Sequence, residues 1–526
     1  MISFAISLLL GLLAIHCFLY MRLQSTQDAR EPPLADASVP FLGVVTRIGW
    51  QGLSYWHRQA GLPIITLRLP YFRIYVVNST KLIPIAQRHV ATISFSPILV
   101  DMSARFMAVS KKTFEIISRD PMDDHGFVTG MSRATHADLS PGSMLDALND
   151  SSIRVLASSL AEIANRGPQR VRMKEWVDKE ITMAATEAIY GPLNPYRDPA
   201  VLSVWPNPQY RSDYENGLAA LLLNILPAFT ARKPARARDT LVTAYEKYYA
   251  RGGHQSASAF IKHRCEFYLS RGVPYDDIAR IEVGASIGFT SNTKPAAFWL
   301  LFHVCSDPAL LDACRRELMS KAVVPTEEYN GVRTIDMALV KSSCPILFAA
   351  FKETFRVHSI GISMRRVVED DILDNTYLLK KGSYLLIPTA VQHRIKSIWG
   401  EDVDSFDHTR FLQDEGSNKS QKSRRRPNPV AFRAFGGGST LCPGRHFATT
   451  EILAFVVLTI MRFDIRPLAG GGRWVMPTVG KSKPNVGLDQ PDYDLEVELV
   501  PRDGGVEWRV AFSGGGGPMR VSAEDG

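Results

Sequence analysis

Apolar side chains run from Ile2 to Met21 without one charged residue, and Arg22 closes the run. Twenty residues of helix reach ~30 Å, the thickness of a bilayer's hydrocarbon core. The run predicts a transmembrane anchor over residues 1–22 rather than a cleaved signal peptide, because no basic stretch precedes it and no clear small-x-small cleavage site follows. Polar Gln24 to Arg30 come next, then Glu31-Pro32-Pro33 and Val39-Pro40. Proline fixes φ and disfavours helix in the residue before it, so residues 23–45 predict a stiff, non-helical hinge. From Trp50 to Val77 the pattern turns strand-like. The runs Ile64 to Leu69 and Arg73 to Val77 are β-rich, and Pro70-Tyr71-Phe72 between them predicts a hairpin. Residues 100–275 read as mainly helical with polar breaks. Glu175 to Ile189 predicts a helix stopped by Gly191-Pro192, and Leu218 to Ile225 an apolar helix ended at Pro227. Asp276 to Ser306 predicts a long apolar helix that Pro295 should kink or open, since proline removes one i→i−4 bond. Lys381-Gly382 predicts a turn into a strand. Phe447, Leu453, Phe455, Val456 and Ile460 recur at helical spacing. Beyond Pro501 the chain turns polar and glycine-rich (Gly514 to Gly517), which predicts a flexible tail over 501–526.

Composition changes this picture little. With 45% apolar and 22% charged residues the chain is ordinary for a globular protein. Its 526 residues suggest two to four domains, yet no composition break divides the interior, so one large domain around a cofactor also fits. Six cysteines (17, 265, 305, 314, 344, 442) are scattered without a framework pattern, which points to a reducing compartment. A net charge of +8 is modest for this length; it favours acidic partners or an anionic membrane surface and does not suggest nucleic acid. Asn78, Asn149 and Asn418 open glycosylation sequons, which matter only in a lumenal domain.

The chemistry concentrates in Phe435-Gly-Gly-Gly-Ser-Thr-Leu-Cys442-Pro-Gly444-Arg-His-Phe-Ala448. Three adjacent glycines let backbone lie flat or turn with φ > 0. Cys442 has no CxxC partner and no His at zinc-finger spacing, so a zinc site does not fit. A lone thiolate suits a haem iron, with backbone N–H groups tuning the sulfur; the plainer alternative is a glycine turn beside a structural cysteine. The stretch resembles the haem-binding signature of the cytochrome P-450 family, Phe-x-x-Gly-x-Arg-x-Cys-x-Gly-x-x-x-Ala. Phe435, Gly438, Cys442, Gly444 and Ala448 fall on it in register, and Thr440 stands where the family usually has an arginine that pairs with a haem propionate. The branch that holds sterol 7α-hydroxylase and prostacyclin synthase departs at the same place.

Other matches follow from that resemblance. Ser291-Asn292-Thr293 aligns with the x-acid-Thr of the family's central helix, with Asn in place of the acid, and the Asn-Thr-x-Pro version again marks the sterol 7α-hydroxylase branch. Glu353-Thr-Phe-Arg356 resembles the family's Glu-x-x-Arg; the i, i+3 spacing puts both side chains on one helix face. Phe406-Asp-His-Thr-Arg410-Phe411 matches the later Phe-x-x-x-Arg-Phe, so Glu353, Arg356 and Arg410 are expected to form a buried structural charge cluster. Met364-Arg365-Arg366 is similar to the strand that gives an arginine to a propionate; Arg365 is favoured and Arg366 is the alternative, while Val357 to Ser363 would contact substrate. Lys419 to Arg426 carries five basic residues in eight and either docks an acidic electron donor or is a solvated loop. No Trp-x-x-x-Arg pair for a propionate and no strand–Gly-x-Gly-x-x-Gly–helix unit for a nicotinamide is found.

The resemblance implies a mainly α fold with a small β region, a cytochrome P-450 catalytic domain over 46–500, and haem b (iron protoporphyrin IX) on Cys442. It implies a fungal monooxygenase that inserts one oxygen atom from O2 into a small lipophilic terpenoid, steroid or other secondary metabolite. Electrons would come from NADPH through a separate NADPH-cytochrome reductase. Thr293 and Asn292 would serve the reaction. Microsomal members are single-pass proteins of the endoplasmic reticulum membrane with a cytosolic catalytic domain. Two alternatives stay open: a haem-thiolate isomerase or dehydratase that rearranges a peroxide without external electrons, and a non-enzymatic membrane haem protein.

Overall fold

A computed structural model describes residues 11, 14, 17–23, 25–35, 61–69, 72–204, 214, 217–223, 230–325, 331–412, 428–482, 487–502 and 506–512. The chain divides into two compact units. One comprises Met1–Ile98, Ile360–Val403 and Pro427–Leu441; the other comprises Leu99–Ser359, Asp404–Arg426 and Cys442–Gly526.

The first unit is built on a five-stranded sheet in the order Ile64–Arg68, Arg73–Val77, Tyr384–Pro388, Ile362–Val367, Ile93–Ser94. Its first two strands form the expected antiparallel hairpin, with Ile64 opposite Val77 and Arg68 opposite Arg73; Pro70 and Tyr71 at the turn lie outside the described residues. Side chains alternate faces along a strand. Ile64, Tyr75, Val77, Leu385 and Ile387 are buried on one face, and Ile65, Leu67, Val76 and Leu386 on the other. A sheet that is dry on both faces explains why these runs are continuously apolar instead of alternating. Gly382, at φ 79°, makes the turn into Tyr384–Pro388. That strand sets Leu385 opposite Arg365.

Residues 25–35, within the expected hinge, are fastened to this sheet. Leu34 lies parallel beside Thr66; the Ala35 N–H donates to the Thr66 carbonyl (2.9 Å) and the Thr66 N–H to that of Pro33 (2.8 Å). Buried Glu31 accepts from the Tyr75 hydroxyl (2.8 Å) and pairs with Arg73 (3.0 Å). Val39, Pro40 and Trp50 lie outside the described residues, as does most of the expected anchor. Among the described residues no single helix is long and apolar enough to cross a membrane.

The second unit is mainly helical. Its central element is the pair Tyr275–Thr290 and Thr293–Ser306, the long apolar helix of the sequence interrupted at Ser291 and Asn292. Pro295 accounts for the interruption, because it has no N–H to donate to Ser291. Every residue from Thr293 to Cys305 is buried, so this half is enclosed on all sides, and most of what it buries is apolar. It packs against Met173–Tyr190, Pro345–His358 and Arg445–Arg462. The first of these stops where expected: Gly191 has φ 71°, and a Cβ there would stand 2.7 Å from the Ser256 carbonyl oxygen. Leu218–Leu223 is helical, while Ile225 and Pro227 lie outside the described residues. Within the stretch read as tail, Glu507–Ala511 is a strand parallel to Val332–Asp336, with Trp508 buried. The glycine-rich composition of the flanking residues hides it in the sequence. The residues from 513 onward lie outside the described ones.

One buried acid in this unit titrates abnormally. Glu451, on Arg445–Arg462, accepts a hydrogen bond from the Ser152 hydroxyl (2.9 Å), and burial pushes its carboxyl up to about 8. A raised acid keeps its proton in the folded chain where the unfolded chain has lost it. Stability should therefore fall as pH rises from about 4.5 to about 8. Glu451→Gln should flatten that decline, raising the thermal midpoint over the parent at the upper end of this range and changing it little at the lower end. An equal shift at both ends would contradict a buried neutral acid.

Candidate active site

Glu353 and Arg356 lie on Pro345–His358, which opens with proline at its first turn, where no N–H is needed. Both side chains are fully buried. Arg356 grips the carboxylate with two bonds, Nε to Oε2 and a terminal nitrogen to Oε1, each 2.7 Å. Arg410 Nε reaches the same Oε1 at 3.2 Å, and the Asp407 N–H donates to it at 3.0 Å. Arg356 also donates to the Ser405 carbonyl (3.0 Å). All three residues of the expected cluster therefore meet on one carboxylate. The Phe406 ring stacks on His303 of the central helix, with centroids 3.9 Å apart.

In the first unit Arg365 is fully buried, whereas Arg366 lies half-buried, 5.5 Å from the centre of the Tyr384 ring. Of the two alternatives, only Arg365 points into the interior. Its guanidinium donates to Ser363 Oγ (3.0 Å), the Gly437 carbonyl (3.1 Å) and Thr440 Oγ1 (3.0 Å). Ser363 and Thr440 share a further bond at 2.9 Å. Thr440 and Ser363 thus hold the Arg365 guanidinium within the first unit. The glycine loop needs its glycines at two positions. Gly436 and Gly438 have φ 80° and 58°; a Cβ at Gly436 would stand 2.7 Å from the Thr440 carbonyl oxygen, and one at Gly438 3.0 Å from Gln87. Phe435 is half-buried at the loop's start.

Cys442 belongs to the second unit and precedes the helix Arg445–Arg462. All six cysteines are free thiols. Burial pushes the Cys442 thiol up; the Gly444 N–H and the Arg445 charge work against that shift. Arg445 also donates to the Cys442 carbonyl (3.2 Å). Among the described residues no group of three or more His, Cys, Asp or Glu side chains converges as a metal site.

The central helix has one open face. Gly288 and Asn292, four residues apart on one side, are exposed, and a Cβ at Gly288 would meet nothing within 4 Å. The Thr293 hydroxyl donates to the Phe289 carbonyl (3.0 Å). Asn292 Oδ1 accepts from the Gly487 N–H (2.9 Å), a partner that sequence reasoning missed. It missed His303 as well, and it gave Ser363 a contact with substrate, not with Arg365 and Thr440. No motif marks Gly487 or His303.

A family model for cytochrome P-450 matches residues 282–494. The chain is 37% identical over 498 residues to "Cytochrome P-450 monooxygenase nodJ" of Hypoxylon pulicicidum, covering 93% of this chain and 94% of that protein. It is 27% identical over 505 residues to a "Cytochrome P-450 monooxygenase" of Gibberella zeae, covering 92% of each. It is 24% identical over 532 residues to "Cholesterol 7-alpha-monooxygenase" of Cricetulus griseus, covering 94% and 98%. The chain belongs to the cytochrome P-450 family. Its fold is the mostly helical one of that family, with small sheets, and it is an enzyme of the monooxygenase class rather than a passive haem protein. The family binds haem b through a cysteine thiolate. Each unit by itself carries residues that suit that group: the second a half-buried thiol with a neighbouring N–H and a helix face kept clear by glycine, the first a buried guanidinium suited to an acidic substituent.

Removing Glu353 strands two buried cations. Glu353→Ala should cost roughly 3–5 kcal/mol. Holoprotein yield should collapse, and Arg410→Ala should lose less, because the bidentate Arg356 pair survives. Near-normal yield of haem-loaded Glu353→Ala, read by haem absorbance per protein, would contradict a buried cluster.

Proposed function

We propose that this protein is a membrane-anchored monooxygenase that inserts one oxygen atom of O2 into a lipophilic terpenoid, steroid or related secondary metabolite. The second atom leaves as water, and NADPH supplies two electrons through a separate reductase. The observation that carries this is Cys442, a half-buried thiol beside the Gly444 N–H at the start of a buried helix. Bound haem b supplies the activation of O2 and the transfer of its oxygen. Cys442 would hold the iron through its sulfur, and it would have to lose its proton to do so, because burial favours the thiol. Arg365 neutralises a propionate. Phe435, Gly438 and Gly444 shape the loop around the sulfur. Glu353, Arg356 and Arg410 keep the helix Pro345–His358 in place.

Thr293 and Asn292 hold a water on the path by which protons reach the reacting oxygen. Asn cannot release a proton at neutral pH, but its amide N–H groups donate. Its carbonyl is already bonded to Gly487. The sterol hydroxylase named above supports a lipophilic substrate.

The apolar run Ile2 to Met21 anchors the chain once in the endoplasmic reticulum membrane with the catalytic domain in the cytosol. The exposed Phe18, Tyr20 and Met21 support this. The sequons do not oppose it, since Asn78 and Asn149 are buried and a glycan on either would not fit the fold; Asn418 lies outside the described residues. The basic stretch Lys419 to Arg426, also outside them, is our candidate docking site for the reductase.

Metabolite profiling of a reductase-containing host, with and without this protein under labelled O2, identifies the product. It should carry one labelled oxygen and require NADPH. Turnover of a peroxide without any reductant would replace the monooxygenase with an isomerase. Thr293→Ala should uncouple the enzyme, with NADPH consumption continuing, hydrogen peroxide rising and product falling by ~10²–10⁴-fold. Full coupling in that variant would remove Thr293 from the proton path.

A further inference from the structure

The segment Gly487 to Asp489 makes an unusual set of contacts for a loop. The Asp489 N–H donates to the His358 carbonyl (2.8 Å), and Leu488 forms an antiparallel bridge with Ser359. The Asp489 carbonyl accepts from the indole of Trp299 (2.9 Å). His358 and Ser359 are the exit of the Glu353 helix, and Trp299 stands on the central helix. The loop is therefore tied to both elements. Its neck is closed by Ser482 and Gln490, which exchange bonds of 2.8 and 3.1 Å. Leu488 and Asp489 are each held by these contacts. Gly487, one residue nearer the break in the central helix, meets that break through Asn292.

Two observations fix the geometry of that contact. A backbone N–H can only donate, so the Asn292 carbonyl oxygen must face Gly487, and its amide nitrogen lies on the other arm. Gly487 does not have a positive φ, so its backbone does not call for glycine. Asn292 does: a Cβ at Gly487 would stand 2.6 Å from Asn292 Oδ1 and 2.9 Å from its Cγ. The two residues are matched to each other across 195 positions of sequence.

We propose that Asn292 is a positioning residue that pins the loop Gly487–Asp489 to the break in the central helix, and that the same bond aims its amide N–H groups along the open face at Gly288. The catalytic consequence rests on the function proposed above; the pin itself does not. An acid at this position would hold the loop equally well, since a carboxylate oxygen accepts the same bond, but it would present an acceptor and a negative charge on the other arm. This chain keeps the anchor and changes what the other arm offers.

The test is hydrogen–deuterium exchange of the full-length holoenzyme, read on peptides that span Gly487 to Leu495. Asn292→Ala should raise exchange at Gly487 and its neighbours roughly two- to tenfold, the range for one neutral hydrogen bond. Asn292→Asp should restore protection while still lacking the donor. Gly487→Ala should loosen the same peptides in the parent and add little in the Asn292→Ala background, where the clashing side chain is gone. Unchanged exchange in Asn292→Ala, or a Gly487→Ala effect of equal size in both backgrounds, would overturn the pin. Exchange is read without turnover, so a protein that proves not to be a monooxygenase would leave this result standing.

Discussion

A carboxylate in a dry interior must be satisfied completely, and the second unit is arranged around that requirement at Glu353. Two guanidinium groups and one backbone N–H converge on it. Meeting them fixes the segment Ser405 to Arg410 against the helix Pro345–His358 and brings Phe406 onto His303. Burial pushes the His303 imidazole down to about 3, so it stays neutral and shares a bond with His358 (2.9 Å). From His358 and Ser359 the ties run on to Leu488, Asp489 and the Trp299 indole. One ion cluster thus sets the exit of its own helix, and that exit sets the loop that meets the central helix. Such a cluster contributes little net stability relative to an apolar core, but breaking it is costly. Its value here is in register.

Both departures from the common family pattern are absorbed by hydrogen bonding. Thr440, where the resemblance leads one to expect an arginine, gives an acceptor to Arg365. Asn292, where the resemblance leads one to expect an acid, binds a backbone N–H that an acid would also bind. Each substitution removes a charge and keeps a geometric constraint. Pro295 contributes by breaking the helix where Asn292 turns outward. Thr293, one residue on, bonds back to Phe289 and stays buried.

Much of this was legible in the chain. Periodicity located the hairpin, the central helix and its break, and the helix that follows Cys442, because each depends on residues near in sequence. The Glu353, Arg356 and Arg410 cluster was legible only through the resemblance, since a Glu-x-x-Arg spacing is common on solvated helices. What stayed hidden depends on long-range pairing. Arg365 was already favoured over Arg366 in the sequence, and the strand register opposite Leu385 agrees with that choice. The Arg365 partners lie 72 and 75 positions away. Glu507–Ala511 forms a strand because Val332–Asp336 offers an edge, and glycine-rich composition gave no sign of it. Gly487 carries no motif, and its partner Asn292 lies 195 positions away.

The account depends most on Cys442 as the iron ligand, and the carbon-monoxide spectrum of the reduced protein tests it most directly. The parent should show the strongly red-shifted band of a haem with an axial thiolate, and Cys442→Ala should fold poorly or bind haem without that band. A Cys442→Ala protein that keeps the red-shifted band would contradict the assignment.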